Sequence, residues 1–129
     1  MIGYLLDSHA LLWWWTNAPR LGARARAAIQ EGERPVHVSA AVVWEIAIKS
    51  ALGKLPMIVD FQGQYPRLMR DNGFNRLDVT DTHALRAAYL AGTHRDPFDR
   101  LIAAQALTED MVVITRDAEI ARFGCTVLW

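Results

Sequence analysis

One cysteine, Cys125, is all the chain carries in its 129 residues. A single thiol builds neither a disulfide framework nor a thiolate metal site, so a disulfide-stapled scaffold is excluded and a reducing cytoplasm is the expected setting. Cys125 precedes the short apolar end "TVLW" and is expected to act as a small core residue. Net charge is also missing: 14 Lys+Arg balance 14 Asp+Glu. Bulk charge therefore argues neither for nor against a nucleic-acid partner, and only local clustering can. No apolar run reaches membrane-spanning length. The start, "MIGYLLDSHALLWWW", is interrupted by Asp7 and His9 and has no basic segment or small-residue cleavage site. It reads as neither a signal peptide nor a span. There is no glycine-rich phosphate loop and no G-x-S-x-G elbow. The four histidines, His9, His37, His83 and His94, show no zinc spacing. Each is expected on the polar surface or as a satisfied hydrogen-bonding group. With no repeat, linker or low-complexity tract, residues 1–129 are expected to form one domain.

What is present alternates. Apolar runs of strand length, "IGYLL" (2–6), "PVHVS" (35–39), "FNRLDV" (74–79), "MVVIT" (111–115) and "CTVLW" (125–129), are separated by helix-like segments. Asp7 or Ser8 is placed to cap a helix through "HALLWWW", and Ser39 to cap "AAVVWEIAIKSALG", which Gly53 ends. Gly32 closes "LGARARAAIQEG", and "TDTHALRAAYLAG" (80–92) is a capped helix with a glycine stop. Gly63 and Pro66 predict that the helical stretch 60–73 breaks into two pieces. The alternation indicates an α/β fold with a mainly parallel sheet. In such a sheet ligands bind beyond the carboxyl ends of the strands.

Acids stand at those ends. Asp7 follows the first strand, Glu45 lies on the helix after the second, Asp96 and Asp99 open a helix, and Asp117 comes two residues after "MVVIT". Individually, Asp7 and Asp117 could be ordinary caps. Glu45 sits among Val42, Val43, Ile46 and Ile48, where a carboxylate is costly without a partner. Collectively, carboxylates sharing a pocket repel one another unless a cation sits among them. Hard ions such as Mg²⁺ or Mn²⁺ want such oxygen ligands. Pro97 suits the first position of a helix, which makes Asp96 the N-cap and Asp99 the third helical residue.

The blocks "LLDSHALLWW", "VSAAVVWEIAIKSALGKL", "HRDPFDRLIAAQA" and "VVITRDAEIARFG" resemble, in order and from end to end of the chain, the motif blocks of PIN-domain proteins, specifically VapC-type toxins of bacterial toxin–antitoxin pairs. The resemblance implies a parallel three-layer α/β/α sandwich with metal-dependent endoribonuclease activity, inhibited by a cognate antitoxin and forming a homodimer. By motif it places Asp7, Glu45, Asp99 and Asp117 at the metal, with Asp96 an extra acid. Asp7 and Asp99 are expected as direct ligands; Glu45 and Asp117 act through water or orient the nucleophile. Ser8 stands where Thr is common and keeps the hydroxyl.

Ser8 and Thr115 could position a ligand water or a phosphate, or could serve only capping and strand-end packing. Lys49, Arg95, Arg100 and Arg116 lie in or beside the acidic blocks and could contact RNA phosphates, or be solvated and paired. On a helix from Ser8 to Thr16, Leu11, Leu12, Trp14 and Trp15 share one arc, and Trp13 points the other way. Trp13 is thus expected at a protein interface, or under a second covered face. The rival readings are less well served. A receiver-like acidic pocket wants paired acids after the first strand and a lysine after the last. A dehalogenase-like phosphatase wants D-x-D, and His9 occupies the second place. A pure interaction module, in which the acids only cap helices, would bind no metal.

Overall fold

The computed structural model describes residues 3–129. Five strands are joined by seven helices in the order β1 (Gly3–Leu6), α1 (Ser8–Trp15), α2 (Ala23–Glu31), β2 (Val36–Ser39), α3 (Ala40–Ala51), α4 (Phe61–Asn72), β3 (Asn75–Leu77), α5 (Asp81–Tyr89), α6 (Pro97–Glu109), β4 (Met111–Ile114), α7 (Ala118–Arg122) and β5 (Val127–Leu128). Ile2, the first residue of the first expected strand, lies outside the described residues. All four strand pairings are parallel, and the sheet runs β3-β2-β1-β4-β5. Helices cover both faces. Successive strand residues point to opposite sides of a sheet, yet Leu5 and Leu6 are both fully buried, as are Val113 and Ile114. This is the α/β sandwich with a parallel sheet that the alternation indicates.

The central strands position everything else. β1 pairs with β2 on one side and β4 on the other, with Leu6 opposite both Val38 and Ile114. The order reverses between β1 and β4, and at such a switch point the connections leave in opposite directions and open a crevice. Leu11, Ile46, Ile102 and Ile120 close the core from α1, α3, α6 and α7, each fully buried or nearly so. Truncating one such side chain to alanine typically costs about 2–5 kcal/mol.

The stretch 60–73 departs from expectation. α4 is one helix with Pro66 inside it. Pro66 removes a single hydrogen-bond donor in the second turn. Against that, the start is fixed by the Asp60 carboxylate, which accepts from the Gly63 N–H at 3.2 Å, and by Gln64 N–H donating to the Asp60 carbonyl. A Cβ at position 63 would collide with the Asp60 carboxylate, so glycine is what lets the cap close. Phe61, Leu68 and Met69 then anchor both ends in the core. Burial of these three outweighs one lost bond.

The histidine on α5 behaves as a satisfied hydrogen-bonding group. Buried His83 accepts from the Thr80 N–H at Nδ1 while Thr80 Oγ1 accepts from the His83 N–H, a capping box with imidazole in place of the usual Glu. Its Nε2 reaches Glu109 of α6 at 2.8 Å and ties the two helices together.

Candidate metal centre

Asp7 is the first residue beyond β1. Its N–H donates to the Ile114 carbonyl at 3.2 Å, which locks the ends of β1 and β4 side by side. Its carboxylate caps α1, accepting from the Ala10 N–H at 2.8 Å. The residue is almost fully buried, and burial holds its carboxyl above the usual carboxylate range. The Thr115 hydroxyl, the Ala10 N–H and His9 work against that shift, and Asp117 adds to it. Thr115, just past β4 and 1% exposed, accepts from the Asp117 N–H at 3.0 Å and hydrogen-bonds the Asp7 carboxylate. Thr115 is therefore a connector between two acids. Both its hydrogen-bonding roles are taken inside the protein, instead of facing a water or phosphate.

On α6 the Asp-Pro-Phe-Asp run takes the predicted positions. Asp96 is the N-cap, Pro97 opens the helix, and Asp96 Oδ1 accepts from the N–H groups of Phe98 (2.9 Å) and Asp99 (3.4 Å). Asp99, two turns before Ala106, projects into the cleft. Burial pushes its carboxyl up to about 6; Asp96 and Asp117 push the same way, and His94 opposes them. Asp117 caps α7, accepting from the Glu119 N–H at 2.9 Å. Glu45 has the partner its apolar surroundings demand: Lys49 Nζ lies 2.9 Å from its Oε2, one turn along α3.

Asp7, Ser8, His9, Glu45, Lys49, Asp96, Asp99, Arg116, Asp117 and Ala118 line one cleft of about 390 Å³ at the carboxyl edge of β1 and β4. All five acids singled out in the sequence thus meet there, with Ser8, Lys49 and Arg116. A larger hollow, about 560 Å³, lies elsewhere between α1, α2 and α4 and contains none of them. Arg100 is not in the cleft. Its guanidinium donates to the Ala87, His94 and Leu90 carbonyls and lies 5.4 Å from the Phe123 ring centroid. It fastens the loop ahead of α6 and has little left to offer a phosphate. Arg95 is exposed beside the cleft. The Arg116 guanidinium stacks 4.6 Å over Trp13, whose neighbours also include His9 (5.1 Å), Trp129 (5.7 Å) and the Arg20 guanidinium (5.9 Å).

Sequence reasoning missed His94. Its Nε2 lies 2.8 Å from Asp99 Oδ2, and His94, Asp99 and Asp117 bring one ligand atom each within 4.8 Å of one another. The residue sits in an irregular loop, where periodicity gives no signal; its place five residues before Asp99 was the only available clue. Carboxylates pushed above their usual pKa, gathered in a small cleft, form a donor set that a divalent cation would satisfy.

The PIN domain family model matches residues 4–124. Ribonuclease VapC16 of Mycobacterium tuberculosis (strain ATCC 25618 / H37Rv) is 41% identical over 69 residues, which is 50% of this chain and 49% of that protein. The match thus spans about half of that relative's length. Among solved structures, VapBC2 from Rickettsia felis bound to a promoter DNA fragment superposes with a TM-score of 0.69 at 14% identity, covering 97% of this chain and 96% of that one. DNA-bound VapBC from Salmonella typhimurium gives 0.69 at 17% identity, covering 99% and 98%. At those identities the likeness is one of fold. The family model, however, spans nearly the whole sequence, including every acid of the cleft, and the chain belongs to the PIN domain family.

Proposed function

We propose that this chain is a metal-dependent endoribonuclease, acting as the toxin of a toxin–antitoxin pair. The observation that carries the reading is the convergence of Asp7, Glu45, Asp96, Asp99 and Asp117 on one cleft at the β1–β4 switch point. The PIN domain match, a relative named as a VapC ribonuclease, and structural neighbours that are VapBC complexes support it. Asp7 and Asp99 would hold a Mg²⁺ or Mn²⁺ ion directly, with Glu45, Asp117 and Asp96 holding its waters. When bound, such an ion supplies charge for the phosphoryl oxygens and lowers the pKa of a water.

The protein's own part is positional. Thr115 fixes Asp7 and Asp117 relative to each other, and the Asp96 cap fixes the first turn that carries Asp99. Lys49 restrains the Glu45 carboxylate. Arg116 and Lys49 line the cleft, Arg95 is exposed next to Asp96 in the chain, and these cations would meet RNA phosphates; Ser8 adds a hydroxyl to the lining. The partners are an RNA substrate, a cognate antitoxin, and a second copy of the chain in a homodimer.

Purified protein with Mg²⁺ or Mn²⁺ should cut structured RNA and stop when EDTA is added. Asp7→Asn should lower the rate by at least a hundredfold while the fold survives. Cutting that persists in EDTA, or in the Asp7→Asn protein, would refute the metal mechanism.

A further inference from the structure

His94 is the imidazole that stands against two of the clustered acids, Asp99 and Asp117. Three observations fix it there. Its Nε2 stands 2.8 Å from Asp99 Oδ2. The same imidazole lies within 4.8 Å of an Asp117 carboxylate oxygen. Its backbone is held by Arg100, which donates to the His94 carbonyl at 3.0 Å, and its ring packs against Phe123 with centroids 6.1 Å apart. Arg100 thus fixes the backbone from which the imidazole projects towards Asp99.

The separation is informative. Two neighbouring ligands of an octahedral ion, each at about 2.0–2.1 Å, stand roughly 2.9 Å from each other. His94 Nε2 and Asp99 Oδ2 already have that spacing. Mg²⁺ takes oxygen ligands, whereas imidazole suits first-row transition ions. An ion entering between Asp99 and Asp117 therefore meets a nitrogen donor alongside them.

We propose that His94 is a direct metal ligand, sharing the ion with Asp99 beside Asp117, and that it biases the centre towards Mn²⁺ over Mg²⁺. This rests on the nuclease reading of the cleft and names its metal more closely. A simple hydrogen bond that orients Asp99 would give the same contact without a nitrogen on the ion, so the coordination itself must be measured.

The test is pulsed electron paramagnetic resonance of Mn²⁺ added to the full chain, with and without ¹⁵N-labelled histidine, beside calorimetric titration of Mn²⁺ and Mg²⁺. One directly bound imidazole nitrogen is expected in the wild type, changing with the label and disappearing in His94→Gln. Mn²⁺ affinity should fall at least tenfold in that variant, and Mg²⁺ affinity less than threefold. His9 also lines the cleft, so His9→Gln is the second variant: the nitrogen should persist there, and its disappearance would assign the imidazole to His9 and overturn the proposal. Bound Mn²⁺ with no nitrogen, or equal losses for the two ions, overturns the assignment. If ion binding is then still abolished by Asp99→Asn, the nuclease reading stands and only the role of His94 falls. A wild type that binds neither ion removes both.

Discussion

At the scale of single residues, the cleft is organised against its own stability. Asp99 has a usual carboxyl pKa of 3.8 and is raised to about 6 in the fold. Below pH 4 it is protonated folded or unfolded and makes no difference. As pH rises from about 4 to about 6, the unfolded carboxyl is already ionised while the folded one still holds its proton, so the fold loses up to about 3 kcal/mol by linkage across that window and no more above it. His94 is also raised, by its hydrogen bond to Asp99, from a usual 6.5. The stability it contributes is full below 6.5 and is lost as pH climbs through its raised value. Buried Asp7 is shifted upwards too. All three act in one direction. In chelator, the melting temperature should fall as pH rises from 4 to 6 and fall again as pH rises above 6.5, and excess Mn²⁺ should flatten or reverse that slope. Thermal melts across this range check it; a metal-free protein that gains stability with pH would show that the carboxylates are not strained. Asp7, Asp99 and Asp117 were legible in the sequence because each stands at a fixed step from a strand or a proline. His94 was not, because only a loop and the Arg100 clasp bring it to Asp99.

At the scale of elements, α6 divides its two aspartates between jobs. Asp96 accepts from two N–H groups at the helix start, a role typically contributing about 0.5–2 kcal/mol. Asp99, on the next half-turn, faces the acids. Asp99→Asn should therefore abolish RNA cleavage without lowering the melting temperature. Asp96→Asn keeps a good cap and should lower cleavage only partly, whereas Asp96→Ala should also cost stability. Melts and cleavage rates for the three variants separate the roles. An Asp96→Asn protein as inactive as Asp99→Asn, with Asp96→Ala melting like wild type, would put Asp96 on the metal instead. The caps were readable because Asp-Pro and Ser-Ala starts satisfy local rules. The continuity of α4 was not, since its Pro66 is outvoted by Phe61, Leu68 and Met69, whose burial depends on the tertiary fold.

At the scale of the whole molecule, alternation indicated the sheet but not its order. The pairing of β1 with β4 is a non-local contact that no window of sequence contains. Surfaces were harder still. Trp13 does leave the apolar arc of α1, but it is half-buried between His9, Trp129 and Arg116. Part of the signal that suggested a partner is thus a second intramolecular contact. We still propose that its outer edge reaches an interface. Trp13→Ala should weaken antitoxin binding or halve the mass in solution, by calorimetry and light scattering, and leaving both unchanged would retire the idea.

The β1–β4 pairing also sets a schedule. Asp7 and Asp117 stand 110 positions apart, yet share one threonine. At about 5–20 residues per second, a ribosome takes roughly 6–20 s to travel from one codon to the other. For most of that interval the growing polypeptide holds Asp7, and later Glu45, but has no β4 to complete the cleft. If the proposed nuclease activity holds, an enzyme laid out in this order is assembled last where it is most dangerous. The machinery that translates it meets a finished cutting centre only after the closing strands have emerged, and an inhibitor made alongside has that long to be ready.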